Sequence, residues 1–161
     1  MPDLETIYRQ HSPAVFRYAW GLCGNRSEAE DLVSETFVRL LTRAPRLETR
    51  TALAYLLAIA RNAYLNGRRR RRPQVEVPDD LAAPGCPPDE ANEQQERLAA
   101  VLTDLAALPE GERSALLLRV DHELSYEEIA IVLGITVGAA RVRVHRARLR
   151  LLERDPGEGR R

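Results

Sequence analysis

Apolar residues recur along most of this chain at spacings of three and four, the period of a helix with one buried face. Three such stretches make up the N-terminal part. The first runs from about Asp3 to Cys23, where Leu4, Ile7, Tyr8, Val15, Phe16, Ala19, Trp20 and Cys23 share a face and Asp3 can cap the start. Pro13 predicts a kink or break near His11–Ser12, and Gly24-Asn25 is a stop signal. The second opens on Ser27-Glu28-Ala29-Glu30, read as a capping box, and carries the stripe Ala29, Leu32, Val33, Thr36, Phe37, Leu40 and Leu41. Its opposite face holds Glu28, Asp31, Ser34, Glu35, Val38 and Arg39, and Pro45 closes it. The third spans about Thr51 to Asn66, with Leu53, Leu56, Leu57, Ala60 and Ala63 in register. Gly67 is expected to end it, and Arg68 to Arg72 follow.

The pattern then fails from Pro73 to about Asn92. This stretch holds six Pro or Gly residues (Pro73, Pro78, Pro84, Gly85, Pro87, Pro88), is acidic, and seldom places two apolar residues together, so it reads as a linker. Fully extended, its length reaches at most roughly 65–70 Å. Helical spacing resumes in four segments. One covers about Glu93 to Ala107. Another covers about Pro109 to Val120, with Glu110 and Glu112 favouring its N-terminal dipole. A second capping box, Ser125-Tyr126-Glu127-Glu128, opens a short helix to Leu133. Thr136 caps a last helix to about Glu153, and the tail from Asp155 is expected to fray. The reading is all-α: two small helical domains joined by a flexible acidic linker, the C-terminal one a helix-turn-helix DNA-binding domain, winged-helix-like without a wing. The boundaries are 1–72, 73–92, 93–154 and a disordered tail over 155–161.

Charge changes this picture more than composition does. The net charge is zero over 161 residues, which alone argues against a nucleic-acid partner. The charges are segregated, however. From Ile129 to Leu152 there is no acid, while Arg141, Arg143, Arg146, Arg148 and Arg150 are present. From Pro73 to Glu96 there is no base, while seven acids are present. Such blocks select partners more than their sum does. Lysine is absent, a bias that a GC-rich genome would produce without functional cause. The two cysteines, Cys23 and Cys86, lack metal-ligand spacing and suggest no disulfide framework. Cys23 reads as core and Cys86 as an exposed thiol. No signal peptide opens the chain and no apolar run nears the ~20 residues of a membrane span, so a cytoplasmic protein without membrane insertion is expected.

Among candidate constellations, Glu128-Ile129-Ala130-Ile131-Val132-Leu133-Gly134-Ile135-Thr136 carries most. Two helices meeting at a sharp angle need a small residue where they touch, which Ala130 supplies. Their turn needs a residue tolerant of positive φ, which Gly134 supplies. In the last helix Ala140, Val144, Ala147 and Leu151 should pack inward. That leaves Val137, Gly138, Arg141, Val142, Arg143, His145, Arg146 and Arg148 outside, either as a solvated arginine face on an ordinary helical hairpin or, with Thr136, as the DNA-facing side of a helix-turn-helix, where Arg141 is placed for a guanine and the later arginines for phosphates. The face Asp31, Ser34, Glu35 and Arg39 is either solvated or a docking surface. The basic run after Arg61-Asn62 either binds nucleic-acid backbone or complements the helix dipole. Tyr55 and Tyr64 either stack on unpaired bases or belong to the core. No catalytic grouping, phosphate loop, metal set or cofactor motif is seen, so no enzymatic activity, cofactor or small-molecule substrate is expected.

The order of these parts resembles the extracytoplasmic-function (ECF) sigma factors of bacteria. The likeness rests on Ala29-Glu30-Asp31-Leu32-Val33-Ser34-Glu35-Thr36-Phe37, Tyr55-Leu56, Ile59-Ala60-Arg61-Asn62, Leu108-Pro109 with Arg113, the 128–136 corner, and Arg146-Ala147-Arg148. The resemblance implies that residues 1–72 bind the β′ clamp of RNA polymerase core through Asp31, Ser34, Glu35 and Arg39. It implies a −10 contact through Arg61, Asn62 and Asn66, with Arg68 and Arg69 near backbone, and capture of a flipped base by the 42–51 loop. Residues 93–153 would read the −35 element and contact the β flap, about two DNA turns or roughly 70 Å from the −10 element. An anti-sigma factor is implied as a partner. Ser34 stands where the family usually has Gln, Tyr55 where Trp is common and Asn66 where Asp is usual. Ala139, Ala140 and Val142 leave the recognition helix with few hydrogen-bonding groups. A free-standing helix-turn-helix regulator and a protein-only helical adaptor are the alternatives.

Overall fold

A computed structural model describes residues 3–43, 52–70 and 90–154, and among these it contains seven α-helices and no strand. They are α1 (Leu4–Cys23), α2 (Arg26–Arg43), α3 (Ala52–Arg70), α4 (Glu90–Ala106), α5 (Glu110–Val120), α6 (Tyr126–Leu133) and α7 (Val137–Arg154). The expected linker, apart from its last three residues, and the expected frayed tail lie outside the described residues, as do Cys86 and residues 44–51 of the proposed base-capture loop.

Helices α1, α2 and α3 pack mutually into one bundle, and α5, α6 and α7 into a second, with α4 alongside α1 and α5. Val15, Tyr18 and Leu22 of α1 and Leu56 and Leu57 of α3 are at most 2% exposed, as are Leu118, Ile129 and Val144 of the second bundle. All eight belong to a continuous apolar core, because α1 packs on α5 and α3 on α6.

Four local expectations need correction. Pro13 does not break α1. The ring lies on an exposed face, while the buried Val15, Tyr18, Ala19 and Leu22 hold the helix down. Ser27 is not the cap of α2: Asn25 is, accepting the Glu28 N–H at 2.9 Å on its side chain and the Ala29 N–H at 3.0 Å on its carbonyl. Gly67 does not end α3, which continues through Arg70. One glycine costs about 1 kcal/mol in a helix, whereas arginines are good helix formers and cations suit a C-terminus. Finally, α4 starts at Glu90 rather than Glu93, because the acids following Pro87-Pro88 favour a helix N-terminus.

The second half of the chain follows its sequence pattern closely. Ser125 accepts the Glu128 N–H at 3.2 Å and its hydroxyl donates to the Glu128 carboxylate at 3.0 Å. Gly134 ends α6 at φ 66°, and Ile135 N–H bonds back to the Ala130 carbonyl at 3.0 Å. Thr136 caps α7 through the Ala139 N–H at 3.1 Å. These bonds satisfy both helix ends at the corner and so fix the angle between α6 and α7.

Candidate nucleic-acid and polymerase interfaces

Helix α7 buries Ala140, Val144 and Ala147 against α5 and α6, and its opposite side is solvent-facing. Arg141, His145, Arg146 and Arg148 are exposed there. Among the described residues Arg141, Arg146 and Arg148 form no ion pair, so their guanidinium donors remain available for phosphate or a base edge. The other α7 arginines are tied down. Arg150 pairs with Glu112 at 2.7 Å and Arg154 with Asp104 at 3.1 Å. Arg143 lies half-buried across Gly111 at the start of α5, where a Cβ would stand 2.7 Å from its Nη1. Val137 is half-buried and Thr136 is engaged in capping.

Sequence reasoning missed Tyr126. Its ring carries the Arg119 guanidinium 4.4 Å from the centroid and that of Arg141 at 5.3 Å. Arg119 is itself anchored by donating to the Leu124 carbonyl at 3.0 Å. The first helix of the corner thus holds Arg141 of the second through an aromatic plate. Fifteen residues separate Tyr126 from Arg141, and no local period relates them.

On α3, Asn62, Asn66, Arg68 and Arg69 are exposed along one run. Arg68 stacks over Tyr64 at 5.6 Å. Tyr64 is core rather than a stacking platform: it is 5% exposed, and its hydroxyl accepts from Arg113 at 3.3 Å. Arg61 stands apart from its exposed neighbours. Its Nε donates to Glu110 Oε1 at 2.8 Å and its Nη2 to Oε2 at 2.9 Å, with side chains only 13% and 16% exposed. Glu110 opens α5, so this two-pronged pair joins the two bundles.

Other polar bonds lie along the same seam. Tyr18 hydrogen-bonds Ser114, and burial lifts its phenol above the usual range, so it stays protonated. Arg113 is 6% exposed, although it carries a charge, because it donates to the carbonyls of Leu22 and Leu108 as well as to Tyr64. Arg17 meets Asp121 at 3.3 Å. His122 packs edge-on against Tyr18, and burial holds its imidazole below the usual range despite Asp121 at 3.3 Å. Cys23, at the end of α1, donates to the Asn25 carbonyl at 3.1 Å, and burial pushes its thiol up to about 12. It is therefore not a thiolate at neutral pH.

The exposed face of α2 brings Asp31, Ser34, Glu35 and Val38 together, with Arg39 half-buried and bonded to Glu35 at 2.8 Å. Leu41, read as core, joins this face instead and is 58% exposed, next to Val38 at 57%. It lies at the edge of the apolar stripe, one turn beyond Val38. Two adjacent exposed apolar side chains are thus bordered by carboxylates, the composition of a surface that a partner could cover.

The chain thus combines an arginine-faced helix-turn-helix with a helix whose exposed face is acidic and apolar, and comparison with known proteins gives the family. Residues 7–74 match the family Sigma-70 region 2 and residues 98–151 match Sigma-70, region 4. The chain is 37% identical over 158 residues to the ECF RNA polymerase sigma factor SigE of Mycolicibacterium smegmatis, covering 94% of this chain and 61% of that relative. It is 35% identical over 143 residues to the ECF sigma factor EcfG of Rhodopseudomonas palustris, covering 86% and 77%. Its fold superposes with a TM-score of 0.72, at 26% identity and over 94% and 95% of the two chains, on the sigma factor RpoE of Bartonella quintana, solved with the anti-sigma factor NepR. The chain belongs to the ECF RNA polymerase sigma factors, whose members direct promoter-specific initiation of transcription.

Proposed function

We propose that this sigma factor docks on core polymerase through the α2 face, reads the −10 element with α3 and the −35 element with α7. The carrying observation is that one chain presents both the acidic-apolar α2 surface and the exposed Arg141, Arg146 and Arg148 on the outer face of a capped helix-turn-helix. In this reading Asp31, Ser34, Glu35 and Arg39 meet the β′ clamp. Asn62, Asn66, Arg68, Arg69 and, once released, Arg61 meet −10 DNA. Residues 1–72 and 93–154 are the two working units, and the second also meets the β flap. The protein has no chemistry of its own and works in the cytoplasm, beside polymerase and chromosome; no helix among the described residues is long and apolar enough to cross a membrane. Its inhibitor would be an anti-sigma factor, by analogy with the complexed relative.

Transcription in vitro tests this. Core polymerase supplemented with the protein is expected to start at defined promoters that core alone ignores. Specific DNA binding without core, and no effect on initiation, would favour a free-standing regulator.

The stacking of Arg141 on Tyr126 makes a finer prediction. Arg141→Ala should cost about 1–3 kcal/mol at one −35 base pair and little elsewhere. Tyr126→Leu should cost about 0.5–1 kcal/mol of the same discrimination, and Tyr126→Phe should restore it. Competition binding with single-base duplex variants reads both effects. A loss spread evenly over all sequences would reduce Arg141 to a phosphate contact.

A further inference from the structure

We infer that Val142 is a specificity-determining residue that reads the 5-methyl group of a thymine in the −35 element, with Gly138 giving the helix the clearance to bring it there. The inference deepens the reading of α7 as the −35 helix and rests on it. Ala140 and Val144 are buried, and Val142 stands two residues from each, hence about 160° round the helix from both. It is therefore the side chain most nearly opposite the core in the first two turns of α7, the part of a second helix that faces base edges. It is 46% exposed and takes no part in the apolar core. A single exposed valine is ordinary on a protein surface. This one is set between the exposed Arg141 and Arg146, and Arg141 is drawn aside onto the Tyr126 ring at 5.3 Å.

Gly138 lies one turn before Val142 on the same line of the helix. It is exposed, its φ is not in the left-handed region, and a Cβ added to it would meet nothing within 4 Å. Neither backbone nor packing therefore calls for glycine here, and glycine is a poor helix former. A bare backbone at the entry of a DNA-reading helix instead admits the close approach of a surface from outside. Gly138 and Val142 together make an uncharged lane between guanidinium groups. The arginines can hold phosphates and a guanine while the lane meets a base edge that needs no hydrogen bond. In the major groove thymine is the base that offers a methyl group there, whereas the purines present N7 and cytosine an amino donor. An isopropyl group set against those polar atoms displaces their water without replacing it, so the contact that favours thymine disfavours the other bases. The scarcity of hydrogen-bonding groups at the start of α7 thus becomes a means of reading sequence.

Deoxyuridine, which pairs as thymine does but lacks the methyl group, isolates the contact. The full chain is assembled with core polymerase, and its preferred −35 sequence is selected from a duplex pool randomised over that element. Each thymine of the selected element, on either strand, is then replaced in turn by deoxyuridine. One replacement should weaken binding by the wild type about fourfold, the effect of leaving one hydrocarbon group in water. Holoenzyme carrying Val142→Ala should bind the thymine element at least as weakly as the wild type binds the deoxyuridine element, and should not distinguish the two. The slope of affinity against salt should be the same for both proteins, because no phosphate contact has changed. Gly138→Leu should weaken binding to both elements and remove the methyl effect, with helix content by circular dichroism unchanged. A selected element in which no thymine methyl matters, or in which it matters equally to Val142→Ala, would overturn the inference while leaving α7 as the −35 helix. Selection of no −35 sequence at all would overturn that reading of α7, and the inference with it.

Discussion

Ile129→Ala is expected to remove about 2–5 kcal/mol of stability, the usual cost of emptying a fully buried isoleucine site. Ile129 is 0% exposed and sits at the corner between α6 and α7, one residue before Ala130. Deleting its side chain leaves a cavity at a junction whose backbone is already fixed by the Gly134 turn and the Ile135–Ala130 bond. The corner therefore has little freedom to collapse around the void. Total stabilities are about 5–15 kcal/mol, so the loss should be visible as a marked fall in the urea midpoint. Circular dichroism reports all helices, while the single tryptophan, Trp20 in α1, reports the first bundle. Because the two bundles share a core, both probes should shift together. A loss below about 1 kcal/mol would mean that Ile129 is not a keystone of the corner.

What was legible in the sequence was local. Helical period, Gly134, the Ser125–Glu128 box and the inward row Ala140, Val144 and Ala147 all depend on residues within a few turns of one another, and each is found where the pattern put it. Caps were less legible: Asn25 and Ser27 are both good capping residues, and only the position of Gly24 in the left-handed region decides between them. Leu41 shows the limit of periodicity, since a residue at the margin of a stripe is assigned by its neighbours in space. The seam was not legible at all. Arg61 and Glu110 are 49 residues apart, and Tyr18 and Ser114 are 96 apart. Nothing local distinguishes Arg61 from Arg68, although one is nearly buried in a two-pronged ion pair and the other is exposed. The acidic start of α5 suits a helix N-terminus, but Glu110 also reaches across to Arg61 of the other bundle, which no local pattern indicates.

Reversing the charges of the α2 face, with Asp31→Arg/Glu35→Arg, is expected to weaken binding to core polymerase by about 100-fold or more, since like charges set opposite one another at an interface cost several kcal/mol. Both residues are exposed. The Glu35–Arg39 bond that is lost is a surface pair one helical turn apart, worth about 0.3–0.5 kcal/mol, so the fold should persist. Val38 and Leu41 remain as an exposed apolar centre, and the variant separates the contribution of the charged rim from that of the centre. Val38→Asp should then add to the loss by placing a charge in the part of the interface that becomes dry. Helix α7 lies in the other bundle, and binding of the isolated −35 duplex should be unaffected. Titration of labelled protein with core, at two salt concentrations, checks the prediction. A charged rim predicts that wild-type association is slowed at high salt and that the reversed variant shows little of that dependence. Unchanged affinity of the double variant for core would remove α2 as the polymerase-binding helix and leave its carboxylates as a solvated surface.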